Sequence, residues 1–152
     1  GWHNSGEWHS AGGLKFGSVE LAEARFPLHF DKHEFRQDSA GDGQFRGGAG
    51  VDLELTVETE KPALANTAGD GIKYGSRGMV GGEDSKPHAY SLLKLDGTER
   101  KLKTKEISVD VDPGDKFIIR SAGGGGWGNP ANRSSEARAL DYKNEITSED
   151  RA

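Results

Sequence analysis

Val51, Leu53, Leu55 and Val57 alternate with Asp52, Glu54, Thr56 and Glu58, the cleanest two-residue period in the chain. That period predicts a half-buried strand with one apolar face and one wet face. Leu28 to Arg36, Tyr90 to Leu95 and Lys116 to Ser121 read as further strands, and Ile107, Val109 and Val111 repeat the alternation. Turns separate them: Asp38 to Gly43, Asp112-Pro113-Gly114-Asp115, and Asp96-Gly97, a hairpin turn into Glu99–Leu102. Helical spacing occurs near both ends. Ser18 is placed to cap a run from Val19 to Glu23 that Pro27 stops, and Asn132 or Ser134 to cap one through Glu136, Ala137, Leu140 and Tyr142. Thr147-Ser148-Glu149 opens a second short helix in that tail. Residues 62–82 are glycine-rich and carry no clear period. The pattern predicts a mainly β chain, an antiparallel sandwich- or barrel-like domain over residues 18–130. An irregular arm (1–17) precedes it and a helical tail (131–152) follows.

Composition sharpens this picture at three points. The hydrophobic share is 32% while glycine numbers 23 of 152 residues, so the chain is loop-rich and short of apolar surface for a core of its own. A partner surface is the expected remedy. Trp2 and Trp8, set in an arm without periodicity, are candidates for docking on such a partner. The charges, 25 acidic against 20 basic, are interspersed, and without a basic stripe no nucleic-acid partner is expected. The absence of cysteine removes disulfides and thiolate metal sites from consideration and fits a reducing cytosol. No apolar run approaches the roughly 20 residues of a membrane span, and no charged-then-apolar leader is visible, so the expected location is cytoplasmic. Gly1 fits either initiator removal or a cut from a longer chain.

Candidate chemistry is sparse. The run Gly123 to Gly126 invites a phosphate-loop reading, but Trp127-Gly128-Asn129-Pro130 follows where a lysine and a Ser/Thr would be needed, so a structural turn or interface loop is expected. His29 and His33, four apart on a strand, would share a face, yet no third ligand stands at zinc spacing and no metal site is assigned. Neither a Gly-x-Ser-x-Gly elbow nor a cysteine nucleophile is present, so no catalytic residue is assigned. Arg46, between Phe45 and Gly47-Gly48, is expected to pair with a buried carboxylate, in this chain or across an interface. With Trp127 it completes the candidate interface or structural residues: Trp2, Trp8, Arg46 and Trp127.

Several blocks in order resemble the C-terminal region of the hydantoinase B/oxoprolinase family, which includes large subunits of acetone and acetophenone carboxylases. They are residues 23–28 (EARFPL), 34–50 (EFRQDSAGDGQFRGGAG), 78–82 (GMVGG), 95–98 (LDGT), 111–115 (VDPGD) and 123–130 (GGGGWGNP). The acidic tail with Arg133 looks similar too. The resemblance implies a small, non-catalytic or site-completing subunit of an ATP-dependent ketone carboxylase. In such a complex ATP phosphorylates a carbonyl compound and bicarbonate. The partners would be a larger A-type, nucleotide-binding subunit and a B-type subunit, with ATP and a divalent metal held there and no cofactor in this chain. Two alternatives stay open: a subunit of an ATP-dependent hydantoinase- or oxoprolinase-type cyclic amidohydrolase, and an independent β-domain that binds a ligand or a protein. Substrate and stoichiometry are not legible in the sequence.

Overall fold

The computed structural model describes residues 18–151. Its first element, α1 (Val19–Arg25), is capped by Ser18, whose Oγ accepts from the Leu21 amide. Pro27 has no amide proton to extend the helix. Seven strands follow: β1 (Leu28–Arg36), β2 (Gly50–Val57), β3 (Ala63–Ala68), β4 (Ala89–Leu93), β5 (Glu99–Leu102), β6 (Lys105–Val111) and β7 (Lys116–Arg120). Five form one antiparallel sheet in the order β1-β2-β7-β4-β5, and β3 pairs with β6 in a separate ribbon. The chain is therefore mainly β and antiparallel, as its alternation predicts, but among the described residues the sheet stays open and no closed barrel forms. The tail after β7 carries a 3₁₀ turn (Pro130–Asn132), α2 (Ser135–Lys143) and a second 3₁₀ turn (Glu149–Arg151). Among the described residues no helix is long and apolar enough to cross a membrane.

The core lies between the ribbon and one face of the sheet. Val57, Leu92, Leu102, Val109 and Val111 are buried together, with Leu28, Ala65, Tyr90 and Phe117 packed against them. Two bulges move residues away from the simple period. In β6, Ser108 takes φ 56 and the register against β3 slips between Ala65 and Thr67. The slip turns Ile107 outward, 80% exposed, while Val109 and Val111 stay at 2%. In β1 the pairing slips between Phe30 and Lys32, so His29 stands opposite Thr56 but His33 opposite Leu53. Thr56 and Leu53 are an odd number of residues apart, so the two histidines point to opposite faces of the sheet. The expected shared face does not exist.

β2 departs from its expectation too. Only Val57 and Gly50 are fully buried there, and both faces between them are half-covered. The charged face is roofed by its own ion pairs: Lys32 Nζ lies 3.4 Å from Asp52 Oδ2, and Lys116 Nζ donates to Asp31 Oδ1 at 3.0 Å. Polar residues thus do the covering that a second apolar layer would do elsewhere.

The turn before β7 is held by a buried carboxylate. Asp115 is 1% exposed; Oδ2 accepts from Lys94 Nζ at 2.7 Å and from the Asp112 amide at 2.8 Å, and Oδ1 accepts from the Leu95 amide at 3.3 Å. Burial by itself would raise its pKa, but the Lys94 ammonium and these amides outweigh burial and hold it below the ordinary 3.8. A carboxyl depressed in the folded state stabilises fully above its unfolded value, and that contribution is lost as pH falls through the folded one. Thermal midpoints measured from pH 7 down to pH 2 therefore drop below about pH 4. Asp115→Asn lowers the midpoint at pH 7 and flattens that acid limb; an unchanged limb would assign the acid sensitivity to other carboxylates.

Candidate interaction site

Three segments outside the regular strands, residues 38–49, 75–88 and 121–129, run against one another and bond backbone to backbone. The Gly41 amide donates to the Gly124 carbonyl at 2.9 Å, Gly124 to Gly48 at 2.8 Å, Gly126 to Glu83 at 2.9 Å and Glu83 to Asp42 at 2.7 Å. The segments approach too closely for side chains. A Cβ on Gly47 or Gly126 would stand 1.9 Å from a facing carbonyl oxygen, and one on Gly125 2.0 Å from that of Arg77. The glycine blocks exist because bare backbone must lie on bare backbone. The amides of Gly124 and Gly126 are spent on neighbouring carbonyls, so these two donors are not offered to an anion.

The tail buckles onto this lattice. Arg46 Nε lies 2.9 Å from Asp141 Oδ1, at ion-pair distance but off line for a hydrogen bond, while Nη1 donates to the Gly47 carbonyl at 2.8 Å. Arg133 donates to the other oxygen of Asp141 and, at 3.3 Å, to the Gln44 carbonyl. Asp141, on α2, is 5% exposed. Further along, Arg151 reaches Asp42 Oδ2 at 2.7 Å and the Asp38 carbonyl at 3.0 Å, and the Ser148 amide donates to Asp38 Oδ1 at 2.9 Å. The carboxylate facing Arg46 thus comes from the same chain, about 95 residues on. Its signal in the sequence is faint: Asp141 follows Ala137 by four, placing an acid on the helix face that turns inward.

At the lip of the lattice Phe45, Met79, Val80 and Trp127 expose apolar side chains to solvent. Phe45 and Trp127 exchange backbone hydrogen bonds of 3.0 and 2.8 Å, and their rings sit 5.7 Å apart. Met79 bridges the other side of Trp127, accepting from the Gly128 amide at 3.0 Å. Exposures are 57% for Phe45, 61% for Met79, 68% for Val80 and 48% for Trp127, so the group is a crest rather than a core. Arg77, Glu83, Asp84 and Asn129 are exposed near it in sequence. Trp2 and Trp8 lie outside the described residues.

Other features offer less chemistry. His88 Nδ1 accepts from the Ala122 amide at 3.3 Å and its ring stacks on Tyr90; burial first, then the Arg36 charge, lowers its pKa, which keeps it a neutral packing group. A cleft runs between the charged sheet face and the end of α2, past Lys32, Glu34, Arg36, Asp52, Arg120 and Tyr142. Its charges answer one another: Lys32 pairs with Asp52 and Glu34, Arg120 Nε lies 3.7 Å from Asp52, and Arg36 donates to the carbonyls of Pro87 and Ser121. Among the described residues no three His, Asp or Glu side chains group as a metal site would require.

The family model for hydantoinase B/oxoprolinase matches residues 1–130. The chain belongs to that family. The β subunit of caprolactamase from Pseudomonas jessenii is 31% identical over the whole of this chain, which corresponds to 26% of that subunit. The crystal structure of that ATP-dependent caprolactamase superposes with a TM-score of 0.77 at 27% identity, over 93% of this chain and 25% of that one. A 5-oxoprolinase from Dictyostelium discoideum is 31% identical over 72% of this chain and 8% of its own length. A nucleotide-free structure of acetone carboxylase shares the fold, with a TM-score of 0.74 at 19% identity over 91% of this chain and 22% of that one. This hydantoinase B-type chain spans about a quarter of the caprolactamase subunit and under a tenth of the 5-oxoprolinase.

Proposed function

We propose that this chain is a small, site-completing module of an ATP-dependent enzyme. It supplies part of the hydantoinase B-type body rather than reacting groups. The observation that carries the reading is what the family match covers: a quarter-length segment whose described residues build a close-packed glycine lattice with an apolar lip. ATP and a divalent metal belong, in this reading, to larger A-type and B-type partners, and the availability of ATP sets the complex in the cytoplasm. Ring opening of a cyclic amide is the favoured chemistry, because the caprolactamase subunit and the 5-oxoprolinase are each 31% identical to this chain. ATP-dependent ketone carboxylation, of the acetone or acetophenone type, is the second reading and draws on the shared fold of acetone carboxylase.

The deciding assay uses the complex purified gently through a tag on this chain. ATP hydrolysis stimulated by caprolactam, hydantoin or 5-oxoproline without bicarbonate is the expected result. Stimulation that requires a ketone and bicarbonate moves the assignment to the carboxylase. Full activity in this chain alone would overturn the module reading in either form.

A further inference from the structure

We propose that the crest of Phe45, Met79, Val80 and Trp127 is the face through which this chain docks on the larger body of a hydantoinase B-type chain. The inference rests on the reading above that such a body accompanies it. The four residues are apolar and between 48% and 68% exposed; Phe45 and Met79 each bridge to Trp127, and Val80 follows Met79 in the chain. Exposed aromatic and methionine side chains are the composition of an interface centre. The backbone beneath them is already fixed by the Phe45–Trp127 and Met79–Trp127 bridges, so docking orders little that was free.

Val80 adds an independent sign. The Gly82 amide donates to the Met79 carbonyl at 2.9 Å, closing a four-residue turn whose central residues, Val80 and Gly81, have φ 54 and 87. Positive φ at both centres marks a type I′ turn, where asparagine, aspartate or glycine is the usual first residue. A β-branched residue there is strained, and its side chain stays 68% exposed, with no hydrogen bond or ring contact among the described residues to offset the strain. An apolar group held outward at a cost is accounted for by a surface that receives it.

The occupant is a larger body rather than a second copy. Four half-exposed side chains offer on the order of 400 Å² per copy, so a symmetric pair would bury less than the ~1,200 Å² of a stable interface. A body the size of the remaining caprolactamase subunit, roughly three quarters of it, has surface to spare around such a centre.

The test measures affinity between this chain and the hydantoinase B-type large chain that co-purifies with it, identified by peptide mass. Phe45→Ser and Trp127→Ser each weaken binding tenfold or more, and the double variant abolishes it, while Ile107→Ser, a still more exposed apolar site on the β3–β6 ribbon, leaves it unchanged. Val80→Gly separates docking from folding: binding weakens although the thermal midpoint of the free chain does not fall, because glycine relieves the turn. Crest variants that bind as tightly as wild type overturn the docking face and leave the module reading intact. A wild-type chain that binds no such large chain overturns both. A wild-type dimer that Phe45→Ser dissolves overturns the choice of occupant.

Discussion

Gly47→Ala costs this chain about 3 kcal/mol or more, although it adds a single methyl group. The methyl carbon would stand 1.9 Å from the Gly124 oxygen and 2.3 Å from its carbon, both backbone atoms with no rotamer to yield. Opening that gap by an ångström pulls on the hydrogen bonds from Gly47 to Gly41 and from Gly124 to Gly48. Overpacking in a well-filled core typically costs 1–3 kcal/mol, and here strained hydrogen bonds add to it. Against a total of about 5–15 kcal/mol this is a large share. Urea midpoints measure it. Gly97→Ala is the control: nothing lies within 4 Å of its Cβ, and only its φ of 86 opposes the change, at about 1 kcal/mol. If Gly47→Ala costs no more than Gly97→Ala, the lattice is not close-packed.

Asp141→Ala is expected to cost about 3–5 kcal/mol, because it leaves two guanidinium groups with 12% and 15% side-chain exposure and no counter-charge. The penalty belongs to the stranded charges more than to the pairs themselves. The triple variant Asp141→Leu, Arg46→Met, Arg133→Met should therefore recover most of the loss. Salt offers a second readout. The Asp141 effect persists at high ionic strength, whereas removing the exposed Lys105–Asp70 pair changes stability little at any salt concentration. Equal losses in the single and triple variants would show that α2 is anchored by packing and that the ion pairs are incidental.

These two effects mark where sequence reading reaches and where it stops. Local chemistry was legible. Ser18 and Ser134 cap their helices, Asp96-Gly97 turns with the glycine at φ 86, and the strand from Leu28 to Arg36 has the bounds its composition predicts. A glycine-rich stretch hid β3, since Ala63 to Ala68 offers little apolar signal until the ribbon partner β6 is in place. The bulges at Asp31 and Ser108 were invisible because a period-2 pattern carries no sign of the residue at which it slips, which is why His29 and His33 separate and Ile107 faces out. The glycine blocks announced close backbone approach, but which segments meet is long-range information. The same holds for the pairing of Arg46 with Asp141.

If this chain is one part of a larger hydantoinase B-type body, the species that carries it in gently lysed native cells has a mass far above that of the chain itself. Size-exclusion chromatography with light scattering on the tagged chain, followed by peptide identification, gives that mass. A complex far above 16.3 kDa that contains a larger hydantoinase B-type chain is the expected result. A stable, lone 16.3 kDa species would contradict it.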